Sequence, residues 1–162
     1  ARPHCDFVFH ADIEQPDPAM LAQLNGADCW VLGDVLTEVR DPAALLALVR
    51  ASMAPGGTLV VSVKNAQHWS VQARLAIGDL RYTPDTIPGP ADLHLFTRGT
   101  ILDMLRHNGF ELRGGSPVVR EESARDTYLP AIRALAEAAG VDGEQAIQDA
   151  LPWQYVIVAQ AV

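Results

Sequence analysis

The side chains able to do chemistry are few and dispersed. Glu38 and His68 are the nearest approach to an acid–base pair. His68 follows the apolar run Thr58–Val63, and an imidazole at that end of a strand could take a proton from a hydroxyl or an amine. The competing role for His68 is a polar cap on a helix beginning at Gln67. Gly33 and Asp34 close a second apolar run, DCWVLGD, where Asp34 either faces a ligand or caps the next turn. Asp12 ends a third run, CDFVFHADI, and could do no more than terminate it. Asp92 and His94, with Tyr82, fall in a stretch rich in Gly, Pro and Asp, either lining a substrate or forming a solvent-exposed pair. The two cysteines, Cys5 and Cys29, make no CxxC pair. Cys29 is expected to be a buried free thiol. The histidines lack acidic partners at ligand spacing, so no metal site is expected. Trp30, Trp69 and Trp153 are expected to pack.

These residues need elements to position them. Cys5–Ile13 is short, aromatic and β-branched, and reads as a strand. Pro18–Leu24 reads as a short helix before an Asn-Gly turn. Asp28–Asp34 and Thr58–Val63 are continuous apolar runs, the signature of strands buried on both faces. Asp41 and Pro42 open a helix whose inner face is Leu45, Leu46, Val49 and Met53, stopped at Pro55-Gly56-Gly57. Gln67–Ile77 is a short helix, and Gly78–Leu95 a long surface loop. Thr97 caps a helix carrying Ile101, Leu102 and Leu105. Phe110–Val119 is a strand broken at Gly114-Gly115. Thr127–Ala139 and Glu144–Ala150 are helical, and Trp153–Val162 is the last strand. Alternating strands and helices with two-sided apolar strands predict an α/β domain with a mostly parallel sheet and helices on both faces. The two final strands are expected to pair antiparallel.

With 162 residues the chain has the length of a single compact domain. Its apolar share of 49% and charged share of 20% are ordinary for a globular protein. The net charge of -8 repels phosphate backbones and anionic membranes, so neither nucleic acid nor a membrane is an expected partner. No apolar run approaches the ~20 residues of a membrane helix, and no signal peptide opens the sequence. A cytoplasmic location follows as an expectation, and a small-molecule substrate is not excluded.

The segment GDVLTEVRDPAALLALVRASMAPGGTLVVSVKNAQHW resembles the middle of class I S-adenosylmethionine (SAM) methyltransferase domains. In that family a strand ends in a "D-V-L-E-H-L" turn, "D-P" opens a helix, and "L-x-P-G-G", a strand, "P-N" and often "H-W" follow. The matching residues are Asp34, Val35, Leu36, Asp41, Pro42, Pro55, Gly56, Gly57, Asn65, His68 and Trp69. DLHLFTRGTILDMLRHNGFEL is similar to the family's "H-L-R-F-F-T … G-F" block, HADIEQ to its "G-D-I-E" block, and QYVIVAQA to its final strand. Any single block is weak, but four in order and spacing are specific, and together they span essentially the whole chain. The resemblance implies a three-layer, Rossmann-like sheet, truncated to about five strands. It implies SAM as cofactor, with Asp12 and Ile13 on the adenine side and Gly33 and Asp34 at the cleft. It makes Gly78–Phe96 a substrate lid.

Departures from the family accompany these matches. The family holds SAM through a glycine turn of the type "D-x-G-x-G" after its first strand and an acid after its second. Neither occurs here, and the chain starts where the third strand of the family would start. Glu38 replaces a His, Lys64 a Pro, and Asp92 a His. The expected activity is therefore methyl transfer to a small molecule, if the cofactor-binding part is supplied. This chain by itself is expected to bind no SAM. A non-catalytic interaction or assembly module is the alternative. Without the family's first strands, Phe7–Asp12 is expected to move inward and pair in parallel with Trp30–Asp34. The apolar edge so created is expected to be covered in a homodimer.

Overall fold

The structure, a computed structural model, describes residues 4–162. Helix α1 (Pro18–Leu24) precedes strand β1 (Ala27–Gly33), the single turn α2 (Val35–Glu38) and helix α3 (Pro42–Ser52). Strand β2 (Met53–Lys64), helix α4 (Trp69–Ala76) and helix α5 (Arg98–His107) follow. The chain ends with β3 (Phe110–Val119), α6 (Arg125–Ala138), α7 (Gly143–Ala150) and β4 (Pro152–Ala161). The four strands form one sheet in the order β1-β2-β4-β3. β1 and β2 are parallel, joined through α3, while β4 runs antiparallel to both β2 and β3. β1, β2 and β3 thus point one way and β4 is reversed. This is the α/β class with antiparallel final strands that the sequence predicts.

Local chemistry accounts for the helix boundaries. The Asp41 carboxylate accepts from the Ala44 amide at 2.9 Å, with Pro42 in the first turn of α3. Thr97 and Thr100 form a reciprocal capping box at α5. Asp142 caps α7 through the amides of Glu144 and Gln145. The break expected in β3 is a bulge between Leu112 and Gly114. A Cβ on Gly115 would lie 2.6 Å from the Val156 carbonyl oxygen, so the crossing of β3 over β4 requires glycine there.

The core lies on one face of the sheet. Leu59, Val61 and Val63 of β2 align with Ala159, Ile157 and Tyr155 of β4, and Leu32 of β1 pairs with Val61. Against this face pack Leu36, Leu45, Leu46 and Val49 from α2 and α3, and Ile101 and Leu105 from α5. The alternate residues Val60, Val156 and Val158 are only half-buried and join none of the three core clusters. Val31, directly opposite Val60 on the edge strand, is 69% exposed.

The first strand expected from the sequence does not form. Phe7–Asp12 carries no secondary structure and pairs with nothing, and Phe7 is 66% exposed. The sheet therefore has four strands rather than about five, and the inward shift of Phe7–Asp12 does not occur. Instead β1 is the open edge. Its two-sided apolar run is buried on one side only, with Leu32 its one buried residue. Cys29 correspondingly lies exposed as a free thiol rather than buried.

Asn65 locks the far end of β2 to the last helix and strand. Its side-chain amide donates to the carbonyls of Asp149 and Pro152, each at 2.8 Å, and its oxygen accepts from the Gln67 amide at 2.9 Å. The residue is fully buried, so removing it strands three backbone groups. Asn65→Ala is expected to lower unfolding free energy by about 3 kcal/mol in urea denaturation. A loss under about 1 kcal/mol would contradict that role.

Candidate functional site

In an open sheet with a βαβ unit, ligands lie beyond the carboxyl ends of the parallel strands. Here those ends are Gly33 and Lys64. Asp34, directly after β1, holds a left-handed backbone with φ of 59°. That conformation is uncommon for a residue with a Cβ, although Asp tolerates it better than most. Two bonds fix it: the Asp34 amide donates to the Ser62 carbonyl at 3.2 Å and to the Ser62 hydroxyl at 3.0 Å. The Asp34 Oδ1 accepts from the Ser62 hydroxyl at 2.9 Å and from the Gln154 amide at 2.5 Å. Ser62 and Gln154 stand on the open face of the sheet, opposite the main core.

The row continues through Lys64, the cross-strand neighbour of Gln154. Its ammonium lies 2.9 Å from both oxygens of Asp92, which also accepts from the Gly89 amide. Asp92 is buried, not part of a solvent-exposed pair. It pins the loop before α5 onto the end of β2, and Ile87, Pro88 and Gly89 are buried with it. Asp34, Ser62, Gln154, Lys64 and Asp92 thus form one polar row across the strand ends. Asp34 and Asp92 are candidates from the sequence. Ser62, Gln154 and Lys64 are additions, and the one sequence signal for Ser62 was a hydroxyl interrupting the apolar run TLVVSV.

The other candidates lie apart from this row. Glu38 is exposed and has no ion pair with His68. His68 is fully buried and caps α4: its Nδ1 meets the Ser70 hydroxyl at 2.8 Å and accepts from the Ser70 amide at 3.4 Å. The ring proton then belongs on Nε2, 3.4 Å from Glu122 Oε2, without a hydrogen bond. The rings of Trp69 and Trp153 flank the imidazole at 5.4 and 5.2 Å. Arg120 covers the Trp153 ring at 3.6 Å. Burial pushes the His68 pKa down to about 4, with Arg120 adding to the fall and Glu122 opposing it. This is the geometry of the capping role. His94 bonds the Arg40 carbonyl at 3.1 Å, and Tyr82 is exposed. Asp12 lies on an exposed turn, its carboxylate bonded by the Glu14 amide. Ile13 packs against the core near α3, and Glu14 accepts from the amides of Arg40 and Asp41. No group of three or more His, Cys, Asp or Glu among the described residues could hold a metal, and no helix is long and apolar enough to cross a membrane.

No protein-family model matches the sequence, and no curated protein is detectably similar to it. Solved structures do match. A SAM-dependent methyltransferase from Mesorhizobium loti superposes with a TM-score of 0.52 at 19% identity, over 93% of this chain and 67% of that one. A SAM-dependent methyltransferase from Thermotoga maritima, a possible histamine N-methyltransferase, gives 0.59 at 15% identity, over 96% and 64%. The fold is that of class I SAM-dependent methyltransferases. The (4+2) cyclase SpnF also shares it, with a TM-score of 0.52 at 19% identity over 93% of this chain and 54% of that one. The chain spans between 54% and 67% of the length of these three structures.

A Cβ on Gly33 would face open space, and Asp12 is displayed on a surface turn. The cavity beside Ile13, about 230 Å³, is lined by Glu14, Pro16, Asp41 and Leu45, and neither Gly33 nor Asp34 reaches it.

Two measurements check this site. The depressed pKa of His68 means the folded chain binds fewer protons than the unfolded chain between about pH 4 and 6.5. Stability therefore rises with pH across that window. A shift of this size corresponds to about 2 kcal/mol lost between pH 7 and pH 5, and His68→Asn should abolish that loss. Urea titrations of the two proteins at both pH values give the comparison, and equal pH dependence would contradict it. In hydrogen exchange, amides 79–86 should exchange fast and 87–96 slowly. Asp92→Ala should bring the second group to the rate of the first, whereas continued slow exchange would show that the Lys64–Asp92 contact does not pin the loop.

Proposed function

We propose that this chain is the catalytic-end portion of a SAM-dependent methyltransferase domain acting on a small molecule, and that on its own it binds no SAM. The observation that carries the reading is the one-sided sheet. β1 offers an open edge for a further parallel strand, and Val31, Val60, Val156 and Val158 offer an uncovered apolar face. A strand–turn–helix unit bearing a glycine turn would pair along β1 and cover those valines. Such a unit would set the cofactor beside Gly33 and Asp34. With Oδ1 taken by Ser62 and Gln154, Asp34 keeps Oδ2 for a donor on the ligand. Methyl transfer from an activated sulfonium asks mainly for positioning, so a row of fixed polar groups rather than a strong base suits it.

With Phe7–Asp12 outside the sheet, the edge that needs a partner is β1 itself. We assign the missing unit to it in preference to a second copy, because a symmetric pair would leave the valine face bare. A second reading, a non-catalytic module, draws on Glu38, Lys64 and Asp92. Two of these close the loop by an ion pair where the family has a Pro and a His, and the third is exposed.

Titration calorimetry with SAM and with S-adenosylhomocysteine is the first test, and no heat of binding is expected up to millimolar ligand. Micromolar binding by this chain would overturn the claim that the cofactor half lies elsewhere. The second test mixes the chain with a glycine-turn unit from a related domain and follows methyl transfer from labelled SAM to small hydroxyl and amine acceptors. SAM binding without transfer to any acceptor would favour the non-catalytic reading.

A further inference from the structure

A second cavity, of about 450 Å³, opens on the helix-covered face, between α5, α7 and the β3–β4 pair. The polar row of Asp34, Ser62 and Gln154 lies on the other face, so the two are separate sites. The volume is within the range of pockets that hold small organic ligands. One wall is apolar, made by Leu102, Leu112 and Ile157. The other carries Arg98, Asp149 and Tyr155.

These three polar side chains have no partners among the described residues. Tyr155 is 9% exposed, and its hydroxyl is closed to solvent without any hydrogen bond. A buried hydroxyl left so costs about 1–3 kcal/mol, and native structures rarely tolerate that without a reason. Burial, with the nearby Asp149 carboxylate, pushes its pKa up to about 12, and Arg98 opposes that rise. The phenol therefore stays a donor at any ordinary pH. Arg98 opens α5, where the helix dipole adds to its positive charge, and the side chain forms no ion pair. The Asp149 carboxylate forms none either, its backbone carbonyl alone being engaged, by Asn65.

We propose that this cavity is a binding site for a small organic monocarboxylate with an apolar body. A donor with no acceptor and a cation with no counter-ion both call for an anionic oxygen. The Asp149 carboxylate beside them weakens the pull on any anion and repels a polyanion such as a nucleotide phosphate chain most, so one charge is the most the site can take. Leu102, Leu112 and Ile157 take the hydrocarbon. The Tyr155 oxygen is closed to solvent, so a ligand reaches it only when a lining side chain moves.

The test uses octanoate and 3-phenylpropionate as probes, with 1-octanol and inorganic phosphate as controls, in titration calorimetry and thermal shift. Saturable binding of at least one carboxylate below about 1 mM is expected, with neither control binding. Tyr155→Phe and Arg98→Gln should each weaken it at least about fivefold. Both variants should fold, since neither side chain holds another part of the protein. Tyr155→Phe should melt no lower than the parent, because it removes an unsatisfied group. The proposal fails if neither carboxylate saturates, if both variants bind like the parent, or if octanol or phosphate binds as well as the carboxylates.

Discussion

Everything in this structure depends on a sheet whose apolar residues are packed against helices on one face alone. From Gly57 to Lys64 in β2 and from Trp153 to Ala161 in β4, odd-numbered residues are buried and even-numbered ones half-buried. Strand side chains project to opposite faces in turn, so one covered face takes every second residue and no more. α2, α3 and α5 all supply that face, because each follows or joins strands on the same side of the β1-β2-β4-β3 order. The valines on the other side are as apolar as those in the core. Among the described residues no helix packs against that face, so their exposure reflects position and not their own chemistry.

The same alternation places the polar row. Ser62, Lys64 and Gln154 are even-numbered, so they share the open face, and register brings Ser62 opposite Val156 and Lys64 opposite Gln154. Asp34 reaches them because the chain turns out of β1 in a left-handed conformation that only its bonds to Ser62 and Gln154 make worth holding. The strain and the polar contacts are parts of one device at the end of the parallel pair.

Fold alone does not decide chemistry here. The same architecture serves a possible histamine N-methyltransferase and a cyclase, so the reaction has to be argued from the residues at the strand ends. In this chain those residues are a carboxylate held by two donors and an ion pair, with the imidazole of His68 kept neutral and enclosed by aromatic rings. They are suited to orienting a ligand more than to moving a proton.

The sequence by itself determined the order and type of nearly every element. Caps such as Asp41 and Thr97, the Pro-Gly-Gly stop and the period of α3 and α5 are local signals that act within a turn or two. It also determined the fold class, through four motif blocks in order. Tertiary structure decided what those signals could not carry. An aromatic, β-branched run such as Phe7–Asp12 is a strand only if a neighbour accepts its backbone bonds, and none does. The apolar run of β1 looks doubly buried until its place at an edge is known. Glu38 and His68 were linked by residue type, yet His68 found its carboxylate in Glu122 and Asp34 found Gln154, far along the chain. Local propensity is written in neighbouring residues, whereas burial and pairing depend on which distant segments share a face, and only the closed fold supplies that.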